Sequence, residues 1–389
     1  MASEAAPLID GHDHGHACPV EVESAETTDG RLGAVLGAPR NGELAPLGVH
    51  GPWLATSLVQ AKQVLTDAAG FDFPSTVTRG SDMSGSAGDT RSGHHVFAPL
   101  TPTQVGHGSS TFLTQWHEVV AAARTSPDGG VIDAMQALRR PMARATCGAA
   151  LPGCSPGDRD LVADNVLGWI DALGPVISRR RDPGRWSRIR RHEARARHEL
   201  EDTLARVLPG CGINDAAHVV ATFLAAGVQV PIAAGAWLLV LLAAHPERGF
   251  EPEHVVWESL RVAPPTWITA RITTGPVTLA GRQLAPGELV LVSPLLLGRS
   301  SELVPGDSSA LGAFEPDRWR CEDVRPGAWL PFGAGAHACP GRTLGFRLLR
   351  DLATWALEHE LTLTEPVKID QSRGILPSPA RLGFTSPTQ

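Results

Sequence analysis

The apolar positions of this chain fall into blocks of different period. The longest apolar run spans residues 216–245 (AAHVVATFLAAGVQVPIAAGAWLLVLLAAH) and is long enough to cross a membrane. Gln229, Pro231 and two glycines interrupt it, and it sits mid-chain without flanking anchors, so it predicts a long central helix of the core. Residues 48–70 predict a short strand and then an amphipathic helix with Val59, Val64 and Leu65 facing inward. Residues 111–150 predict helix. Residues 158–208 predict a helix-rich block with loops at Gly174-Pro175 and Asp182-Pro183-Gly184. Residues 271–294 alternate with turn signals (Gly275-Pro276, Ala280-Gly281, Pro286-Gly287) and predict short strands. Pro74 to Thr90, rich in Gly, Ser, Thr and Asp, predicts a loop.

Composition changes this picture modestly. The chain has 389 residues and a net charge of −7, which argues against a nucleic-acid binder. Only Lys62 and Lys368 are lysines, so nearly all basic charge is arginine, and there is no tyrosine. Six cysteines in so long a chain do not make a dense disulfide framework, and mostly free thiols are expected. No segment near the N-terminus has the apolar length of a signal peptide or anchor; a soluble, cytoplasmic protein is expected. Residues 1–30 are polar and are expected to be a flexible tail. Its cluster of His12, His14, His16 and Cys18 lacks a second ligand group at finger spacing. The basic run Arg179 to Arg197 is expected to be a solvated helix face, or else a docking surface for an acidic partner.

The chemistry concentrates in Trp329–Arg347, WLPFGAGAHACPGRTLGFR. Cys339 stands in a glycine-rich loop ahead of an apolar helical run. Phe332, Gly335, His337 and Gly341 punctuate that loop. The N-terminus of the following helix should face the sulfur and lower the thiol pKa. A lone thiolate without CxxC partners suits one axial iron bond better than zinc or an iron–sulfur cluster. This F-x-x-G-x-H-x-C-x-G pattern resembles the haem-binding loop of the cytochrome P450 superfamily. The resemblance implies a mainly α fold with a smaller β region: a triangular prism whose long central helix crosses over a haem b. It also implies one haem domain over residues 31–389 and Cys339 as the ligand to iron.

Further motifs carry the resemblance. Glu258 and Arg261 form an E-x-x-R pair on one helix face. Phe314-Glu315-Pro316-Asp317-Arg318-Trp319 resembles the family's meander, which implies a structural network of Glu258, Arg261 and Arg318. Gly298-Arg299-Ser300 stands where the family often has N-R-D. Arg271 lies where the family places a haem-propionate arginine, and His337 is implied to donate to the other propionate. The family's H-x-x-x-R pair is not intact here; His94 or His95, with Arg91, takes its place by offset. Phe332, Gly335 and Gly341 are implied cofactor contacts. Trp267, Ile268, Phe223 and Ile375 are implied pocket residues, with a core role for Trp267 the competing reading.

One departure matters for mechanism. The family usually carries A-G-x-[D/E]-T on the central helix, an acid–alcohol pair that passes protons during oxygen activation. This chain reads Ala226-Gly227-Val228-Gln229-Val230. An amide does not titrate and valine has no polar atom, so neither Gln229 nor Val230 relays a proton in the usual way. Pro231 has no N–H, and its ring crowds the carbonyl of Gly227; the helix is expected to open or kink there.

The resemblance to soluble bacterial members implies a monooxygenase-type oxidoreductase that tailors a secondary metabolite. It would use dioxygen and electrons from a ferredoxin and ferredoxin reductase, docking at Arg342, Arg347 and Arg350. The substrate would be a small molecule, free or tethered to a carrier, with no nucleic-acid or membrane partner. Oxidative coupling or cyclisation without oxygen insertion, or use of peroxide, is the competing reading within the enzyme class. A non-catalytic helper subunit of this fold is the competing reading outside it.

Overall fold

The computed structural model describes residues 21–49, 51–74, 96–127, 129–179, 183–184, 186–246, 249–306, 311–321, 325–372 and 374–385. In chain order the elements are α1 (Gly30–Leu36), β1 (Ala45–Pro46), β2 (Trp53–Ala55), α2 (Leu58–Thr66), β3 (Phe71–Asp72), α3 (Pro102–Thr125), β4 (Val131–Asp133), α4 (Ala134–Ala137), α5 (Arg139–Ala150), α6 (Pro156–Ile177), α7 (Arg188–Val207) and α8 (Ala217–Ala244). There follow α9 (Pro252–Val262), β5 (Thr269–Thr273), β6 (Val277–Leu279), β7 (Arg282–Leu284), β8 (Leu289–Val292), α10 (Pro294–Leu297), α11 (Arg342–Leu357), β9 (Glu360–Leu363), β10 (Lys368–Asp370), β11 (Leu376–Ser378) and β12 (Arg381–Thr385).

The apolar run becomes α8, a 28-residue helix that is hydrophobic nearly all round and therefore belongs inside. From Ile232 to Leu242 every residue is buried. Helices α5, α6, α7, α9 and α11 pack around it. Gly235 makes one of these contacts possible: a Cβ there would stand 2.9 Å from Leu138 Cδ1 and 3.0 Å from Leu352 Cδ2. A five-stranded sheet, ordered β1-β2-β8-β5-β3, flanks this helical body. Its β2–β8 pair is parallel, and its other pairs are antiparallel. Smaller sheets are β4-β12-β9, β10-β11 and the hairpin β6-β7. Ala280 (φ 51°) and Gly281 (φ 75°) turn that hairpin, the two left-handed positions that a tight turn of this hand requires.

Three expectations are corrected by local physics. Val59 is 77% exposed, because Ser57 and Gln60 cap α2 reciprocally and turn Gln60, Ala61, Val64 and Leu65 inward. Gly174-Pro175 is not a loop. Helix α6 runs through it, and Pro175 sits in the last turn, where the Gly174 carbonyl accepts both the N–H and the hydroxyl of Ser178. The tail does not extend to residue 30. Glu23 N–H donates to the Val367 carbonyl, and Glu26 pairs with Arg299 at 2.7 Å. Most of the described cysteines are free, as expected: Cys147, Cys321 and Cys339 are unbonded, while Cys154 and Cys211 form a disulfide with Cα atoms 5.1 Å apart. The His12–Cys18 cluster lies outside the described residues.

Candidate active site

The cysteine loop is fixed from three sides. Leu330 (φ 61°) and Gly333 (φ 70°) curl the chain so that the Cys339 N–H donates to the Phe332 carbonyl at 2.8 Å. Gly335 (φ 74°) lies against α2, where a Cβ would stand 2.7 Å from the Leu65 carbonyl oxygen. Gly335 is thus demanded by the approach of α2. Gly341 caps α11, and a Cβ on it would meet nothing within 4 Å. Behind the loop, Trp257 packs edge-on against Trp329 and Phe332 and lies tilted against Phe346.

The thiol of Cys339 is exposed, but protein atoms crowd it. Burial pushes its pKa above the ordinary thiol value, against the opposing pull of the Gly341 N–H and the Arg342 charge. This corrects the expectation of a lowered pKa: the helix N-terminus and the arginine act in the expected direction, but desolvation outweighs them. A thiol so placed loses its proton once a cation faces it.

Beneath the loop, the structure brings Glu258, Arg261 and Arg318 together. Arg261 donates from Nε and Nη2 to the two Glu258 oxygens at 2.9 and 2.6 Å, and both side chains are wholly buried. Arg318 Nε donates to Glu258 Oε1 at 2.9 Å. Two further donors converge on the same carboxylate, Trp319 Nε1 and the Glu315 N–H, each at 2.9 Å. Arg299 extends the network to the Arg261 and Val262 carbonyls.

A cavity of about 600 Å³ opens beside α2, β3 and the cysteine loop, and both Arg271 and His337 line it. Between them stands Phe73, which the sequence reading did not single out. The Arg271 guanidinium lies 3.8 Å from the Phe73 ring centroid, and the His337 ring meets the same ring edge-on at 5.0 Å. Arg271 is 6% exposed and has no carboxylate at ion-pair distance among the described residues; its Nη1 reaches only the Ala270 carbonyl and the Thr269 hydroxyl. Burial lowers its pKa and the charge of Asp72 raises it, with burial the stronger. A buried guanidinium without an anion fits the carboxylates of a prosthetic group.

Helix α8 presents one unfilled face. Thr222, Ala226 and Val230, spaced by four, are exposed there, whereas Val228 is fully buried. Phe223 borders this face and packs on Phe97 at 4.5 Å, tilted by 34°. Three residues on, the Leu100 N–H approaches the Pro340 carbonyl at 3.5 Å. Residues 97–100 span at most about 11 Å of chain, so they tie the open face of α8 to the cysteine loop. Gln229 does not share that face. It lines a separate polar cleft of about 230 Å³ with Asp133, Arg139, Asp171 and Asp370.

Pro231 does not end the helix. Helix α8 continues through it, and the Gly227 carbonyl that it frees accepts the Thr146 hydroxyl of α5 at 3.1 Å. Two expected pocket residues prove to be core. Trp267 is 6% exposed, and Ile375 is 1% exposed with its carbonyl accepting Trp237 Nε1, so neither has surface to offer a ligand. Ile268 is half-buried against the same core. Arg91, His94 and His95 lie outside the described residues.

The family model described as Cytochrome P450 matches residues 253–377. The fold agrees with a crystal structure of CYP109E1 from Bacillus megaterium in complex with corticosterone. The TM-score is 0.63 at 17% identity, covering 85% of this chain and 92% of that one. Residues 253–377 are thus those of a cytochrome P450. The chain is 33% identical over 189 residues to cyclooctat-9-en-7-ol 5-monooxygenase from Streptomyces melanosporofaciens, over 40% of each chain. It is 34% identical over 170 residues to pentalenene oxygenase from Streptomyces avermitilis, over 37% of this chain and 36% of that one. These matches thus span well under half the length of the curated relatives. Cytochromes P450 hold a haem whose iron takes a cysteine thiolate. The exposed thiol of Cys339, the buried Arg271 with no carboxylate at ion-pair distance among the described residues, and the open face of α8 fit such a group.

Proposed function

We propose that this chain is a haem-thiolate oxidoreductase of the monooxygenase type that tailors a small secondary metabolite, with Cys339 as the axial ligand. The observation that carries this reading is the cysteine loop, in which Phe332 and Gly341 fix the backbone around one exposed thiol. When bound, the haem supplies dioxygen activation and one-electron redox chemistry. Arg271, with His337 across Phe73, would hold its carboxylates. Phe332 and Gly341 would contact its proximal face. The Glu258–Arg261–Arg318 network would keep the loop rigid. Ala226, Val230 and Phe223 would shape the opposite side, with Gly227 behind them, and Ile268 would sit at the pocket's edge.

The residues of α8 supply no proton donor on the open face near Val230. The hydroxyl of Thr222 is two turns away, about 12 Å along the axis, and is turned back to the His218 carbonyl. Gln229 points into the Asp133–Asp171 cleft. On this reading protons would come from solvent or from a substrate hydroxyl. The same observation favours a second reading, in which the substrate is oxidised by coupling or cyclisation without oxygen insertion, or peroxide replaces dioxygen.

The relatives' names refer to an unsaturated alcohol and an alkene, which supports an apolar substrate. Arg342 and Arg347 are exposed on α11, with Arg350 half-buried beside them, and would receive an acidic ferredoxin served by its reductase. Arg188, Arg191 and Arg195 are exposed along one stripe of α7; Arg191 and Arg195 line a groove of about 870 Å³ against α6. That stripe would receive an acidic carrier if the substrate is tethered. Helix α8 is apolar enough to span a membrane by length and composition, but its apolar window is 72% buried in the protein, which supports a cytoplasmic enzyme.

A ligand screen read by the haem absorption spectrum tests this reading. A spin shift with a free or carrier-bound small molecule identifies the substrate. Isotope-labelled dioxygen then separates insertion from coupling, since only insertion places the label in product. Failure of the purified chain to bind haem would revive the non-catalytic helper.

A further inference from the structure

We infer that Thr146, on α5, is a positioning residue for the open face of α8: its hydroxyl replaces the helix hydrogen bond that Pro231 removes. The inference rests on the haem-enzyme reading only for what that face does.

In an unbroken helix the Gly227 carbonyl accepts from the N–H four residues on. Residue 231 is proline and has none. A carbonyl buried without a donor is costly, so it must find a donor or the helix must open to water. The structure supplies the donor from another element. Thr146 Oγ1 donates to the half-buried Gly227 carbonyl at 3.1 Å, from a side chain that is itself only 4% exposed.

The contact also depends on Gly227 lacking a side chain. A Cβ at Gly227 would stand 3.1 Å from Thr146 Cγ2. Glycine, threonine and proline thus form one unit: the proline removes a donor, the threonine returns one, and the glycine lets the threonine approach. The unit lies within one turn of both Ala226 and Val230, which face the open side. It therefore fixes where those two side chains stand, without touching anything bound there. In particular, it keeps the freed carbonyl engaged with α5, where it offers no acceptor to a groove already lacking the usual alcohol.

A double-mutant cycle on the full chain tests this. Thr146→Val keeps the shape and removes the hydroxyl. Pro231→Ala restores the N–H that Gly227 lacks. Two readouts are taken: amide hydrogen exchange of α8 peptides, and the ferric haem absorption spectrum of the loaded protein. In the Pro231 background, Thr146→Val should speed α8 exchange about tenfold or more and shift the ferric spectrum. Thr146→Ser should do neither. In the Pro231→Ala background, Thr146→Val should change exchange by less than about threefold and restore the parental spectrum.

Equal acceleration in both backgrounds would overturn the inference, leaving Thr146 as packing only. So would accelerated exchange with an unmoved spectrum, because the face would then not depend on Thr146. If Thr146→Val alone fails to fold, rescue by Pro231→Ala supports the inference and failure of the double variant overturns it. The exchange cycle is readable without haem, so a chain that binds none would refute the enzyme reading separately.

Discussion

Replacing Glu258 with alanine removes the acceptor at the centre of the network beneath the cysteine loop. Its two oxygens accept five hydrogen bonds: two from Arg261, one each from Arg318 and Trp319, and one from the Glu315 N–H. Truncation leaves Arg261, at 0% exposure, charged and without its carboxylate, while Arg318, at 9%, keeps only the half-exposed Glu315 at 2.9 Å. Removing one partner of a buried ion pair costs about 3–5 kcal/mol, mostly through the stranded charge. Some relief remains, because Arg261 also donates to the Gly298, Leu311 and Ala313 carbonyls, and Arg318 to the Pro305 carbonyl. We therefore expect a loss near the middle of that range, about 4 kcal/mol, a large share of a typical folding free energy of about 5–15 kcal/mol. Urea unfolding followed by tryptophan fluorescence measures it; the midpoint should fall with little change in slope. Arg318→Ala should cost less, because Glu258 keeps both bonds from Arg261. A loss under about 1 kcal/mol for Glu258→Ala, or a larger loss for Arg318→Ala, would refute the reasoning.

Four further outcomes follow from the geometry. Arg271→Ala should speed haem transfer to a scavenger protein by about tenfold or more, since it removes charge-assisted bonds worth about 1.5–3 kcal/mol; an unchanged rate would free Arg271 of that role. Val230→Thr should leave unfolding almost unaltered and raise coupled oxygenation; unchanged product and rate would show that Val230 does not shape the chemistry. Gly235→Ala should cost about 1–3 kcal/mol by overpacking Leu138 and Leu352, read as a lower unfolding temperature. For Glu26, burial pushes the carboxyl up, but Arg299 and the surrounding hydrogen bonds hold it below its ordinary 4.5. Stability from this pair is therefore present above that pH and is lost as pH falls through the lower folded value. Glu26→Gln should flatten the urea midpoint across that acid range, and a parallel curve would contradict the assignment.

How much of this was legible in the sequence depended on whether a contact is local or long-range. The cysteine loop was legible because its fixed positions all lie within one stretch, and Glu258–Arg261 because helical spacing places them together. The two departures at Gln229 and Val230 were visible as residue identities. The sequence did not show that Gln229 would turn into a different cleft from Val230, because that depends on how α8 is rotated against α4 and β11. Phe73, wedged between Arg271 and His337, and Phe97, which links Phe223 to the cysteine loop, gave no signal: each is a single aromatic outside any motif. Thr146 was hidden for the same reason, although Pro231 announces that a donor must be found for Gly227. The thiol pKa was misjudged because helix dipole and charge can be read from order along the chain, whereas desolvation depends on the whole surrounding fold.

The most direct test of the central claim is the absorption spectrum of the ferrous, carbon monoxide-bound protein, recorded for the wild type and for Cys339→Ser. The account predicts about one haem per chain and the strongly red-shifted band of a thiolate ligand in the wild type, with that band lost in the variant. A wild-type chain that binds no haem, or a variant with an unaltered band, would contradict it.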